Sequence, residues 1–452
     1  MKIKIKGINE IITYEKLDNG LEVYLYNKED FHNNYVTFTT KFGSVNTEFY
    51  DKEEDKKLKM PNGIAHFLEH KVFAQKEGPD PSDYFSANGA TSNAYTTFKN
   101  TTYLFGGVHN LKENISFLLD FVQEPYFTDE NVEKEKGIIT QEIHMCDDRP
   151  IDVLYEKIRK NTLFKNNFRN SIIGTTEEIN KITPELLYKC YNNFYHPKNM
   201  FLVVSGNFNT EEILEVIRTN QNKKKFGDFV KIKENKIKEP DKVVKEKEII
   251  NGNTDVSKFS YNIKINITNN SLNKRKINIY LYILFNLLFG DTSSFDYEMK
   301  KRKIITNTVS YNLLDTDTHL IISLLNETDN YEELSKEIDK NLKDIKIDNR
   351  DFERKKKVLI SNEIFSYENI VLVNEMIIDN MIFEGKIEEN ITDILKSLNM
   401  EEFEELINSL NFDNKSIVIL SKANNNSGEY LQKWLKCVII LHEEENIYGS
   451  KK

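Results

Sequence analysis

The stretch from Gly63 to Phe73, GIAHFLEHKVF, contains the spacing on which the interpretation of this chain depends. His66 and His70 are four residues apart, so on a helix both imidazoles project from one face and can share a metal ion. Glu69 lies on nearly the same face, where its carboxylate can take a proton from a water without binding the metal. The order H-x-x-E-H is the inverse of the commoner H-E-x-x-H zinc motif. The stretch predicts a helix that carries part of a zinc site, although two ordinary surface or core histidines would give the same pattern.

A catalytic zinc site needs a third protein ligand, and the segment from Asn131 to Met145 offers acidic candidates on one predicted helix. Glu135 and Glu142 are two turns apart along the same face, so one can bind zinc while the other orients a histidine. His144 is a competing ligand, but it points away from the face that the two glutamates share. Each glutamate alone is usually a solvated helix charge, so the prediction rests on the combination.

Composition restricts the class of protein. The chain has 452 residues, which is more than one hydrophobic core normally supports, so we expect two or more domains. A net charge of -10 argues against nucleic-acid binding, because phosphate contacts need a clustered basic surface. The three cysteines, Cys146, Cys190 and Cys437, are sparse and odd in number, which indicates a reducing compartment. With no signal peptide or membrane span visible in the sequence, we expect a cytoplasmic protein.

The order of predicted elements suggests two α+β domains of similar size. Both halves combine alternating strand patterns with longer amphipathic helices; residues 46–59 are predicted to form a loop and residues 94–105 a single strand. From about residue 220 to 247 the chain is rich in lysine, which indicates a solvated linker, although an exposed charged face would look the same. We therefore predict a zinc-binding peptidase domain at residues 1–222, a charged linker at 223–247 and a second homologous domain at 248–452, each a mostly antiparallel sheet packed with helices.

These residues together resemble the pitrilysin family, the insulinase-like inverted-zincin metallopeptidases. In that family H-x-x-E-H is followed by a helix that carries a glutamate ligand and, two turns earlier, a second glutamate; here Glu142 lies 72 residues beyond His70. The resemblance implies one zinc ion per chain, bound by His66, His70 and Glu142, with Glu69 as general base and Glu135 as the residue that orients a histidine. It also implies a fold that forms half of a clamshell. The phrases DFVQEPYFTDENVEKEKGIITQEI and YNNFYHPKNMFLVVSGN are similar to one bacterial branch, the YmfH-type proteins.

The segment from Gly89 to Thr96, GATSNAYT, resembles the family's segment beside the metal. There an exposed edge strand pairs with the backbone of an extended peptide, which gives affinity with loose side-chain preference. By this match Gly89, Asn93, Ala94 and Tyr95 are implied as substrate-binding residues. A strand that begins with glycine and only packs within its sheet would look the same without the resemblance.

The later domain lacks a feature that the family usually carries, an arginine and a tyrosine that steady the oxyanion of the tetrahedral intermediate. In the corresponding stretch Lys300 and Asn307 occupy the two positions, while Arg302 and Tyr311 are out of register. We therefore expect this chain to supply the metal, and a homologous partner subunit to supply the arginine and tyrosine.

The predicted function is a zinc metalloendopeptidase that hydrolyses short or unstructured peptides as the metal-bearing subunit of a heterodimer, with neither nucleic acid nor membrane as a partner. One alternative is a non-catalytic peptide-binding or scaffold member of the same fold. Another is a zinc-binding module with a structural metal, in which Cys146 would be the fourth ligand.

Overall fold

The computed structural model describes residues 1–51, 56–229, 232, 237–268 and 270–422. Part of the predicted linker, the end of the predicted second domain and Cys437 lie outside these ranges. The strands are β1 (Lys2–Ile5), β2 (Glu10–Lys16), β3 (Glu22–Asn27), β4 (Asn34–Thr40), β5 (Glu48–Asp51), β6 (Lys56–Lys59), β7 (Ala90–Thr96), β8 (Thr101–Gly107), β9 (Met200–Gly206), β10 (Lys247–Asn251), β11 (Lys258–Asn266), β12 (Ser310–Asp315), β13 (His319–Glu327) and β14 (Lys415–Ser421).

The helices lie between these strands in both halves of the chain. They are α1 (Ile64–Val72), α2 (Pro81–Ala87), α3 (Leu111–Gln123), α4 (Asp129–Asp148), α5 (Pro150–Thr162), α6 (Thr176–Ile179), α7 (Pro184–Phe194), α8 (Thr210–Asn222), α9 (Lys274–Phe289), α10 (Ser294–Lys301), α11 (Tyr331–Lys343), α12 (Asn349–Ser366), α13 (Ile370–Asp379), α14 (Ile391–Ser397) and α15 (Met400–Ser409). Among the described helices, none has both the length and the apolar character needed to cross a bilayer.

Two sheets organise the described part of the chain. The first has the order β1-β2-β3-β9-β4-β8-β7, and the second has the order β10-β14-β11-β13-β12. In the first sheet only β3 and β9 run parallel, and in the second only β10 and β14 do. From β3 onward the two sheets have the same strand order. In the first sheet β9 lies between β3 and β4, and in the second β14 lies between β10 and β11. The predicted α+β fold of two similar domains with mostly antiparallel sheets is confirmed.

The central strands β4, β9 and β11 are buried along nearly their whole length because both faces of each sheet are covered. Every residue of β9, MFLVVSG, is buried, as is typical of a strand with layers on both sides. Its Leu202 and Val204 belong to a core cluster with residues of α1 and α3, whereas Phe201 and Val203 belong to another that includes residues of α13. The sheet is therefore the middle layer of a sandwich of helices.

Each sheet is covered on one face by a helix from the other half. Helix α5 packs on β11 and β14 of the second sheet, and helix α13 packs on β3, β4 and β9 of the first. Buried Asn374 of α13 accepts a hydrogen bond from Thr37 Oγ1 at 2.6 Å and donates one to Ser205 Oγ at 3.2 Å. The two halves therefore share their cores rather than meeting only at a surface.

Two local predictions were wrong. Residues 46–59, predicted to be a loop, contain β5 and β6, which pair as a hairpin on either side of residues 52–55. Buried Phe49 anchors this hairpin against Phe194, with ring centroids 4.9 Å apart. Two adjacent aromatic residues, Phe49 and Tyr50, in a mostly polar stretch were a weak signal. Residues 94–105 form parts of two strands, because Thr97 and Asn100 close a turn through a Thr97 Oγ1–Asn100 Oδ1 hydrogen bond of 2.6 Å.

The segment predicted to be a solvated linker has a buried anchor. Glu239 accepts hydrogen bonds from three backbone N–H groups, at Phe164, Lys165 and Asn166, over 2.8 to 2.9 Å. It also forms an ion pair with Lys264 of β11 at 2.7 Å, and neither side chain is exposed. One carboxylate thus ties the chain after α5 to the second sheet, so this part of the segment is not solvated.

Candidate metal centre

Helix α1 begins at a backbone position that only glycine fits. Gly63 has a φ of +86°, and a Cβ there would lie 2.5 Å from the carbonyl oxygen of Ile173. The helix that follows is buried on nearly all sides, with His66 and Glu69 among its buried residues. A tight entry and a crowded environment therefore fix the direction in which the side chains of the motif project.

The structure brings His66, His70 and Glu142 together. His66 Nε2 lies 3.6 Å from Glu142 Oε1, and His70 Nε2 lies 3.7 Å from Glu142 Oε2. One ligand atom from each residue can be chosen so that all three lie within 4.8 Å of one another. Tetrahedral zinc with bonds of about 2.0–2.1 Å needs ligand atoms roughly 3.3 Å apart, so small side-chain adjustments suffice. Two imidazoles and one carboxylate, with one position left for water, are a donor set of catalytic zinc sites.

Glu135 contacts a candidate ligand rather than joining the group of three. Its Oε1 lies 3.0 Å from His70 Nδ1, and its Oε2 accepts a hydrogen bond from buried Lys71 Nζ at 3.2 Å. Burial raises the pKa of Glu135, but His70 and Lys71 outweigh that effect and hold it below its usual value. The carboxylate therefore stays ionised and fixes the orientation of the His70 ring. Lys71 was not predicted from the sequence to belong to the site; its position directly after the H-x-x-E-H motif was the available signal.

The two imidazoles differ in their electrostatics. Burial, and then the proximity of His70, lower the pKa of His66 to about 3, so this ring is neutral near pH 7. Burial also lowers the pKa of His70, but the hydrogen bond and the charge of Glu135 raise it above its usual value. A neutral ring has a free lone pair at one nitrogen, which is the state in which histidine binds a metal.

Thr96 holds Glu69. Its Oγ1 donates a hydrogen bond to Glu69 Oε2 at 2.6 Å and lies 3.2 Å from Thr101 Oγ1. Burial raises the pKa of Glu69, the bond from Thr96 lowers it, and the net pKa is raised. Thr96 ends the GATSNAYT segment, and no role was predicted for it from the sequence.

Strand β7, which contains three of the four predicted substrate-binding residues, lies at the edge of the first sheet and beside α1. Among the described strands it pairs only with β8. Gly89, with a φ of +72°, precedes the strand; Asn93 is exposed, and its Oδ1 accepts a hydrogen bond from Ala94 N at 2.9 Å. The hydroxyl of Tyr95 donates to Glu375 Oε2 of α13 at 2.8 Å. The second half of the chain therefore anchors this strand of the first.

The remaining candidates lie elsewhere. His144 and Cys146 are outside the group of three, and Cys146 Sγ accepts a hydrogen bond from Arg149 at 3.0 Å, so the structural-zinc alternative lacks its proposed fourth ligand.

Lys300 and Arg302 both contact residues of the second half. Lys300 Nζ lies 2.8 Å from Asp296 Oδ2 and 2.9 Å from Thr308 Oγ1, whereas Arg302 contacts Glu333 and Glu337. Asn307 is exposed, and Tyr311 lines a separate cavity of that half.

Two family descriptions match consecutive parts of the chain. Residues 53–176 match the family described as "Insulinase (Peptidase family M16)", and residues 181–359 match "Peptidase M16 inactive domain". The chain is 39% identical over 310 residues to a Bacillus subtilis protein named "Uncharacterized zinc protease YmfH", a match covering 68% of this chain and 72% of that protein.

Two solved structures are similar over most of the chain. A putative M16-like peptidase from Alicyclobacillus acidocaldarius has a TM-score of 0.86 and 30% identity, and the match covers 91% of this chain and 98% of that one. A protease from Helicobacter pylori has a TM-score of 0.78 and 19% identity, and the match covers 91% of this chain and 99% of that one. At this identity the likeness supports the fold alone.

Proposed function

Because this chain belongs to the M16 peptidase family, which includes the insulinases, we propose that it is a zinc metalloendopeptidase of the inverted-zincin type. The observation that carries the proposal is the convergence of His66, His70 and Glu142, with the buried carboxylate of Glu69 on the same helix face. The relatives it matches are named zinc proteases, which agrees with that chemistry.

Each residue of the centre has a role in peptide hydrolysis. His66, His70 and Glu142 would hold one zinc ion, which supplies Lewis-acid chemistry that makes water more acidic and a carbonyl more electrophilic. Glu69 takes the proton from the attacking water and delivers it to the leaving amine. Thr96 fixes the Glu69 carboxylate, and Glu135 keeps His70 oriented.

The proposed substrate is a short or unstructured peptide in an extended conformation. The edge of β7, which has no second partner among the described strands, offers backbone groups to such a peptide, with Gly89, Asn93, Ala94 and Tyr95 as the contact residues. Backbone pairing at an edge strand selects extended chains over folded surfaces. Thr96, at the end of β7, contacts Glu69, so a peptide bound there would extend toward the proposed base.

The proposed active form is a heterodimer in the cytoplasm. Lys300 and Arg302 are engaged in ion pairs of the second half, so we assign the groups that steady the oxyanion to a homologous subunit with an arginine and a tyrosine. Cys146 and Cys190 are free thiols, which suits a reducing compartment.

Zinc content and peptide hydrolysis test the proposal together. The chain should bind one zinc ion and cleave an unstructured fluorogenic peptide when mixed with a homologue that carries the arginine and tyrosine but lacks H-x-x-E-H. His70→Ala should lose both zinc and activity, whereas Glu133→Gln, on exposed α4 surface, should keep both. Absence of zinc binding would contradict a metallopeptidase. Equal turnover with and without the homologue would contradict the heterodimer, and zinc binding without turnover in the mixture would favour the non-catalytic alternative.

A further inference from the structure

The second half contains a cavity of about 630 Å³ whose surroundings repeat those of the metal centre. It is lined by residues of α9, of the edge strand β12 and of α12, with further walls from the segment after α13 and from α14. By strand order, β12 corresponds to β7. Helix α9 lies two elements before β12 as α1 lies two elements before β7, and α12 and α4 are each the third element after these strands. The cavity is therefore the counterpart of the metal cleft in the duplicated fold.

The side chains of this cavity differ from those of the metal cleft. Arg275, Asn278 and Ile279 of α9 have the same spacing as the H-x-x-E-H residues and line the cavity, and Glu363 of α12 lines it as well. No histidine or cysteine is among its lining residues in the described part of the chain, so the donor set does not suit zinc.

Three polar atoms of the cavity are buried without a hydrogen-bond partner among the described residues. They are Asn278 Oδ1, Tyr311 Oη and Glu363 Oε1. A buried acceptor without a donor costs free energy, so three in one cavity are unlike an ordinary protein interior. Each of the three is an atom that can accept a hydrogen bond.

The cavity also has an excess of negative charge. Lys274 pairs with Asp315 at 2.8 Å, and Arg275 Nε lies 3.7 Å from Glu384 Oε1, which leaves Glu363 and Asp379 as the carboxyls in excess of the cations that line it. Burial raises the pKa of Glu363, and burial together with repulsion from Glu375 raises that of Asp379 to about 6. Both carboxyls would be stabilised in their ionised form by a cation.

We propose that this cavity binds an organic cation, a guanidinium or primary ammonium carried on a short aliphatic chain. Several N–H donors on one planar group match three acceptors that lack donors. The rings of Tyr282 and Tyr311, 6.1 Å apart, can face the cation, while Leu313 and Leu359 contact its aliphatic chain.

Two contacts connect the cavity with the proposed substrate strand. Lys99, in the turn after β7, lies over the ring of Phe383, a lining residue, with 4.9 Å between Nζ and the ring centroid. Tyr95 of β7 donates to Glu375, whose charge acts on Asp379. The cation is therefore either a basic side chain of the peptide on β7 or a free small amine, and the first of these sources rests on the proposed function.

Direct binding tests the proposal independently of hydrolysis. Agmatine, titrated calorimetrically into the full chain, should bind, and Glu363→Gln should weaken binding about tenfold, because one charged acceptor is removed. Glu353→Gln, on the same helix but outside the cavity, should bind as the unchanged chain does. Tyr311→Phe removes the hydroxyl alone and should also weaken binding, which covers the case in which Glu363→Gln fails to fold. Absence of agmatine binding, or equal affinity in all three variants, would overturn the proposal.

A competition experiment then identifies the source of the cation. In Glu69→Gln protein, which should bind peptide without cleaving it, an arginine-containing peptide should displace agmatine and its citrulline analogue should not if the site takes a substrate side chain. If neither peptide displaces bound agmatine, the site takes a free amine. Because agmatine binding is read directly, loss of peptidase activity and loss of cation binding are distinguishable results.

Discussion

The two halves of the molecule place different chemistry beside the same arrangement of strands. In the first, two carboxylates of the cleft have partners: Thr96 donates to Glu69, and Glu135 bridges His70 and Lys71, while buried His66 Nδ1 has none among the described residues. In the second, no imidazole is among the described lining residues of the equivalent cavity, and three of its acceptors have no donor among the described residues. Strand order therefore fixes where a cleft forms, whereas a few side chains on one helix and its neighbours decide what the cleft does.

The substitution expected to have the largest effect on this difference is Glu69→Gln. The substitution keeps the size of the side chain but removes its ability to take a proton, so kcat should fall by about 10²- to 10⁴-fold. Zinc content should not change, because Glu69 is outside the group of three ligands. Initial rates and metal analysis of the same preparation measure both, with Glu133→Gln as the control. A rate within a few-fold of the control would show that the first cleft does not use this carboxylate as its base.

A second test asks whether the halves are one folding unit. Glu239→Gln should lower the free energy of unfolding by about 3–5 kcal/mol, because it leaves buried Lys264 without its charge partner. Urea unfolding measures this, and exposed Glu246→Gln is the control. Two separate transitions in either protein would contradict a shared core.

The pH dependence sharpens the same test. Burial raises the pKa of Glu239, but Lys264 and the backbone N–H donors lower it by more than burial raises it. The pKa of Glu239 in the folded protein therefore lies below its usual value. The stability that this carboxylate contributes is therefore present above its usual pKa and is lost as the pH falls through the lowered value. Glu239→Gln should lack that acid-dependent loss, and parallel acid titrations of the two proteins by circular dichroism would show the difference.

The smallest expected effect concerns Thr96. Thr96→Val removes the hydroxyl that holds Glu69 and should lower kcat about tenfold, with little change in KM or zinc content. Thr96→Ser should recover most of the rate, since it restores the donor without the methyl group. A general structural disturbance would instead raise KM or lower the melting temperature, and serine would not correct it.

Local periodicity contributed to predicting from the sequence that His66, His70 and Glu142 lie together. The spacing of His66 and His70 fixes their common face once the helix is assigned, and the two-turn separation of Glu135 and Glu142 does the same on α4. Because the family resemblance also pointed to these residues, the geometry of the first cleft holds few surprises.

What the sequence did not reveal depends on contacts between distant segments. Thr96 acts through a residue 27 positions away, and Lys71 through one 64 positions away, so no local pattern marks either. Glu239 lies in a lysine-rich stretch whose composition indicates exposure to solvent. Only the fold brings its carboxylate to Lys264. The second-half cavity was not foreseen either, because its residue types do not form a known motif.

Because α5 and α13 each pack on the sheet of the other half, the chain cannot be divided freely into two fragments. A fragment containing only the first half would leave uncovered the face of β3, β4 and β9 on which α13 packs, and a fragment of the second half would lose α5 from β11 and β14. Exposed apolar sheet faces favour aggregation. Cutting the backbone near residues 223–229 should therefore leave two pieces that remain associated, whereas expressing the pieces separately should give insoluble material that recovers its fold only when both are refolded together.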